Sequence, residues 1–266
     1  VSVNQSVLFF FNIFFGVVAN AAMGIANQVN AQLNSFIGSF SQSYNPQIIK
    51  SYAAGKQDYF IKLIFSTSKL AYFLLLMVAV PVLVNIDFIL NIWPKNPPPG
   101  ASTFVLLVVA YSLVDTYSAP LWIGVHATGN LKTHQILMSG IKILNIPMAY
   151  VLLKVGCPAW SALAVKAGLN IVCSVARPCY VKRLYGLPLG SYFKNVWLVV
   201  YFVTLLSVPL PVYVSSLYES SLTRFLLTTG AFLLVFIPVT YAFGLNADER
   251  NVVKGGIKKK LRFLQK

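Results

Sequence analysis

Four ionisable residues, Lys69, Asp115, Lys142 and Lys166, fall inside long apolar runs of this 266-residue chain. A charge at bilayer depth costs ~2.5–3.5 kcal/mol on insertion scales, so such a group usually faces a wet cavity or a partner of opposite charge. Polar residues recur around these four at steps of three and four, which places them on single helix faces. One stripe is Tyr111, Asp115, Ser118, Trp122 and His126; a second is Gln135, Ser139, Lys142 and Asn145; a third is Lys166, Asn170, Ser174 and Arg177. A fourth segment carries Asn27, Gln28, Asn30, Gln32, Asn34, Ser35 and Ser41, too many polar groups for a helix with lipid on more than one side.

Two kinds of chemistry fit these stripes. One is hydrogen bonding between neighbouring helices, which needs no ligand. The other is the lining of a path for an anion, because the lysines outnumber the single acid. Lys142 and Lys166 lie too centrally to reach the membrane surface and are assigned to a cavity. Lys69 lies two turns from Lys62 and can extend to the surface along its own stem. Asp115 fits either a counter-charge to one of the lysines or a proton or cation site. His126 and His134 flank a loop without metal-ligand spacing and read as solvated. The six acids are scattered, without a DxD pair, so they offer no placed acid and base for catalysis. No cofactor or metal is called for.

The elements that must hold these residues are membrane helices. Apolar residues make up 57% of the chain and charged residues 10%, whereas a soluble domain is about one-quarter charged. The net charge of +15 would point to nucleic acid in a soluble protein; here the charges lie between apolar runs, which excludes that partner. With ~20 residues needed per span, the runs predict an all-α integral membrane protein of about eight transmembrane helices. These cover roughly Val3–Val18, Gly24–Tyr44 (stopped by Asn45-Pro46), Tyr59–Val84, Thr103–Ala127, His134–Val155, Trp160–Tyr185, Val196–Leu217 and Leu222–Phe243. Pro81, Pro120, Pro147, Pro178, Pro209, Pro211 and Pro238 interrupt the spans and predict kinks. Trp93, Trp160 and Trp197 near predicted helix ends read as interface anchors. Cys157, Cys173 and Cys179 read as packing residues, with Cys173 and Cys179 on different faces of one helix. No signal peptide is recognisable. The absent initiator Met and the immediate apolar run read as a piece of a longer protein.

Positive charge sorts strongly between alternate loops. Lys50, Lys56, Lys62, Lys132, Arg177, Lys182, Arg183 and Lys194 fall on one side, with Arg250, Lys254, Lys258, Lys259, Lys260, Arg262 and Lys266 in the tail. Lys95, Lys154 and Arg224 fall on the other. Fifteen against three predicts that both ends are cytoplasmic.

The segments Asn12-Ile-Phe-Phe-Gly16 and Asn20-Ala-Ala-Met-Gly-Ile-Ala-Asn-Gln-Val-Asn30 resemble those of bacterial polysaccharide-export flippases of the multidrug/oligosaccharidyl-lipid/polysaccharide superfamily. So do Asn45-Pro-Gln-Ile-Ile-Lys-Ser-Tyr-Ala-Ala-Gly55, Ala127-Thr-Gly-Asn130 and Pro147-Met-Ala-Tyr-Val-Leu-Leu-Lys154. Met23 and Val17 depart from the pattern, which has Arg and Pro there. The resemblance implies flipping of undecaprenyl-pyrophosphate-linked oligosaccharide across the bacterial inner membrane. It assigns residues 1–185 to the second six-helix lobe of a MATE-like fold, 186–245 to two added helices and 246–266 to a basic cytoplasmic tail. It also implies a preceding first lobe as partner. Lys142, Lys166, Asp115, Lys69, Arg177, Asn27, Asn30 and Asn34 are then the candidate substrate-binding residues, with membrane lipids around them. Three other readings stand beside this one: a drug or cation antiporter, which would favour an acidic lumen; a membrane-embedded polymerase or glycosyltransferase; and a non-transporting scaffold.

The charge asymmetry makes a direct prediction. Reporter fusions after Gly55, Gly129 and Phe243 are expected to read cytoplasmic, and fusions after Pro98 and Glu219 to read periplasmic. A single inverted pair contradicts the topology.

Overall fold

The computed structural model describes residues 2–94, 96–251 and 254–255. Lys95 and the tail residues Lys258, Lys259, Lys260, Arg262 and Lys266 lie outside the described residues, as does the short basic and apolar stretch 257–264. The described chain is all-helical: α1 (Ser2–Ala53), α2 (Gln57–Val84), α3 (Ile86–Ile92), α4 (Ala101–Thr128), α5 (Leu131–Ile143), α6 (Asn145–Lys154), α7 (Trp160–Tyr185), α8 (Leu189–Tyr192), α9 (Leu198–Ser207), α10 (Pro209–Leu217) and α11 (Leu222–Val239). Two π-turns, Phe193–Trp197 and Thr240–Gly244, continue α8 into α9 and extend α11.

Among the described residues, seven helical runs are long and apolar enough to cross a membrane, against the eight expected. The difference lies in α1, where the first two expected spans form one helical run with no intervening loop. Gly16 breaks it at φ 68° and ψ −155°, a backbone conformation that glycine adopts because it has no Cβ. The Asn20 amide donates to the Asn12 side-chain oxygen. Residues eight apart in a straight helix are ~12 Å apart along the axis, so this bond requires a sharp turn at Gly16. The arm before the turn spans only about 14 described residues, ~21 Å at the helical rise. Beyond the turn, the helix runs past Pro46 to Ala53 instead of stopping at Tyr44. Proline removes one backbone donor, but Tyr44, Ile48 and Ser51 are buried around it, and that packing holds the helix together.

Three other breaks occur where proline predicts them or close by. Pro147 cannot donate to the Ile143 carbonyl, and the expected fifth span is divided between α5 and α6 at that point. Pro209 and Pro211 separate α9 from α10, and the π-turn Thr240–Gly244 follows Pro238. The seventh expected span also begins earlier than its apolar run, at Leu189.

Helix ends gather by turns at two opposite poles. At one pole Tyr44 and Ile48 meet Phe60, Ile64, Leu121, Val125, Val181 and Tyr185. At the other, Ile86, Leu90, Ala101 and Phe104 meet Leu153, Ala162 and Leu163. The connections that carry Lys50, Lys56, Lys132, Lys182 and Arg183 therefore share the first pole. α2 and α4 run through the middle, while α5, α10 and α11 are peripheral. A third apolar cluster joins Tyr72, Phe73, Leu76 and Val80 of α2 to Val200, Val203, Phe232 and Phe236, docking the last two spans on α2. Trp93 and Trp160 are exposed at helix ends. Trp197 is half-buried and packs among Tyr117, Phe193 and Tyr201, where α4 meets the C-terminal spans.

Lys69 reinforces that docking. Its side chain is 0% exposed and forms an ion pair of 2.9 Å with Glu249, beyond the last span. Its ammonium also donates to the Gly244 carbonyl at 3.1 Å. A Cβ on Gly244 would stand 2.8 Å from the Phe73 ring, so glycine permits the close approach. Burial pushes the Glu249 carboxyl up, but hydrogen bonds from Ser66, Lys69 and the Asn246 N–H, with the Lys69 charge, outweigh it and hold it below its usual range.

A carboxyl held low in the folded state contributes stability above its unfolded value and loses that contribution as pH falls through the folded value. Thermal unfolding in detergent is therefore expected to show wild-type stability falling with acidification in that window. Glu249→Gln, which leaves the Lys69 charge buried and unpaired, is expected to cost about 3 kcal/mol at neutral pH and to lose that acid dependence. The double variant Lys69→Met/Glu249→Gln is expected to recover most of the loss.

Candidate functional site: a polar seam and cavity between α4, α5 and α7

The three polar stripes expected on the fourth, fifth and sixth spans converge. α4 and α7 run against each other, and their polar faces are joined by side chains bonding across the seam. The Asn170 amide donates to the Tyr111 carbonyl at 2.9 Å, and the Tyr117 hydroxyl donates to Ser174 Oγ at 3.1 Å. Arg177 Nη1 donates to both the Ser118 carbonyl, at 3.0 Å, and Ser118 Oγ, at 2.6 Å. These contacts are inter-helix bonding of the kind that needs no ligand. Lys166 Nζ sits 4.3 Å from the centre of the Tyr111 ring, a cation–π distance.

Where α5 leans against this seam, a cavity of about 300 Å³ remains open. Asp115 and Trp122 of α4 line it, with His134, Ser139 and Lys142 of α5 and Arg177 of α7. The spacing explains the convergence: each stripe occupies one face of its helix, and hydrocarbon leaves polar faces no better place than against one another. Within α5, Gln135 donates to Ser139 Oγ at 3.2 Å. Lys142 is exposed at the rim, whereas Arg177 is buried behind it. Two basic side chains against one acid make the lining net positive.

The other candidates are distributed differently. Asn30 accepts from Ser112 Oγ at 2.6 Å and ties α1 to α4. Asn34 donates to the Asn30 carbonyl at 2.9 Å, and both Asn27 and Asn34 are exposed on α1. Lys69 stands apart from the cavity, committed to Glu249 and Gly244. Asn145, the last residue of the α5 stripe, is buried at the break between α5 and α6, with neither amide atom bonded. Met23 is 2% exposed within the apolar cluster around Ala22 and Ala26, where a neutral side chain suits the packing.

His134 corrects the sequence reading. It lies in the first turn of α5, is 1% exposed and lines the cavity, instead of being solvated beside the loop. Its distance of eight residues from Lys142, two turns on one face, was the available signal. His126 remains exposed against Trp122, ring centres 3.9 Å apart. All three cysteines are free thiols.

The geometry separates residues that build the seam from those at its opening. Arg177→Met, which leaves Ser118 without its partner, is expected to destabilise by about 1–3 kcal/mol. Lys142→Ala, at the exposed rim, is expected to stay within about 0.5 kcal/mol of wild type. Unfolding midpoints in detergent measure both; equal losses would place Lys142 among the structural residues. Comparison of the chain with family models, with curated proteins and with solved structures gives no match.

Proposed function

We propose that this chain is the cargo-binding portion of a flippase that moves a lipid-linked oligosaccharide across the bacterial inner membrane, gripping the anionic pyrophosphate of the carrier. The observation that carries this reading is the meeting of Lys142 and Arg177 in one cavity where, among the described residues, the one acid lining it is Asp115. A pyrophosphate presents several acceptor oxygens, and charge-assisted hydrogen bonds to Arg and Lys are the strong ones in a low-dielectric site. Lys166, near enough to interact electrostatically with Lys142 and Asp115, adds a further cation along the path.

In this proposal residues 1–185 form the second lobe of a MATE-like arrangement, 186–245 form two added helices, and both ends are cytoplasmic. The exposed polar residues of α1, Asn27, Gln28 and Asn34, are the surface a complementary lobe would cover. Rocking of the two lobes around the cavity would carry the headgroup across. A cation antiporter fits less well, because the lining repels cations.

The test uses the full-length transporter. Lys142→Ala or Lys166→Ala is expected to abolish or strongly reduce export of the lipid-linked sugar while the protein still inserts. Arg at either position, which keeps the charge in a different geometry, is expected to do less harm. Near-wild-type export by the double Ala variant would show that the lysines are helix contacts only.

A further inference from the structure

One buried ring at the cavity leaves a nitrogen without a hydrogen-bond partner. The His134 ring rests against Tyr180 of α7, centres 5.4 Å apart, yet its Nε2 has no hydrogen-bond partner, and neither has Arg177 Nε. A buried polar atom without a partner is destabilising, so a Leu or Met would serve packing better at this position. The ring already lines the cavity. The χ2 torsion of histidine is broad and roughly two-fold, so rotation can swing Nε2 towards the cavity without moving α5. The charged and titratable groups around it are Arg177 and Tyr180 from α7, Asp115 and His126 from α4, and Lys142 two turns along its own helix.

A phosphate held between Arg177 and Lys142 would supply the opposite charge that favours an imidazolium. Histidine is also the side chain whose ordinary titration lies nearest neutral pH. We propose that His134 is a direct anion-binding group of this cavity and that it takes up a proton from solvent as the anion arrives, so that loading of the headgroup and of a proton are linked. This rests on the anionic-cargo reading above and adds to it a protonation linked to cargo binding. No covalent step is involved: one proton moves from water to the imidazole, and Nε2–H donates to a phosphate oxygen.

The chain contains two histidines, which makes the test direct. The protein, labelled with ¹⁵N-histidine and placed in lipid nanodiscs, is titrated with inorganic pyrophosphate at neutral pH, with His126→Gln assigning the signals. The His134 nitrogens are expected to change from the neutral to the imidazolium pattern on binding. By calorimetry, His134→Gln, which keeps an N–H donor but cannot titrate, is expected to bind pyrophosphate roughly tenfold more weakly than wild type at pH 6, with the gap closing by pH 8. The proposal is overturned if pyrophosphate binds and Lys142→Ala weakens it, while His134 stays neutral and His134→Gln binds like wild type at both pH values. That outcome leaves the anion cavity standing. Absence of pyrophosphate binding by the wild-type protein overturns both.

Discussion

Hydrocarbon offers no hydrogen bonds, and that single constraint organises the helix bundle. A polar face on a membrane helix must turn towards another polar face, towards water, or bear the cost of isolation. α4 and α7 take the first course: Asn170, Ser174 and Arg177 meet Tyr111, Tyr117 and Ser118 across one seam. α5 takes the second, since its polar stripe opens on the cavity and only part of it is bonded. The same pressure that assembles the bundle thus leaves a cavity with more basic than acidic lining beside its best-bonded seam.

The C-terminal spans show the constraint acting on a charge. Lys69 sits in the most buried part of α2, and its ammonium is satisfied by Glu249 and the Gly244 carbonyl beyond the last span. Such a pair contributes little net stability because both ions lose their water, yet breaking it exposes the full cost of the remaining charge. It therefore acts mainly as a register device. The last span must end where Glu249 reaches Lys69, and Gly244 permits the approach to Phe73. Asn85, at the other end of α2, donates to Thr228 at 2.8 Å and fixes the same helix from its opposite pole.

Helix irregularity is concentrated where the backbone is constrained. The turn at Gly16 and the division at Leu144 occur in the sparsely buried α1 and α5–α6, whereas Pro81 and Pro120 are accommodated inside the buried α2 and α4. Dense neighbours hold a helix straight through a missing hydrogen bond; an exposed helix has fewer contacts to do so. The cavity is bounded on its open side by one of these less confined helices.

Much of this was legible in the residues themselves. Apolar run length located five of the expected spans closely, because bilayer thickness sets helix length regardless of neighbours. The period of three and four put Asp115, Lys142 and Arg177 on faces that do meet. Other features needed the tertiary structure. The turn at Gly16 and the passage of α1 through Pro46 depend on what packs alongside, as do the aromatic contacts of Trp197. Lys69 looked like its neighbours in kind, but its partner lies 180 residues away, and spacing carries no information about so remote a residue. His134 stands at the edge of its apolar run, where a solvated side chain is expected; only the packing of α5 against α7 buries its ring against Tyr180. Local periodicity decides which residues share a face, and the long-range packing of helices decides what each face meets.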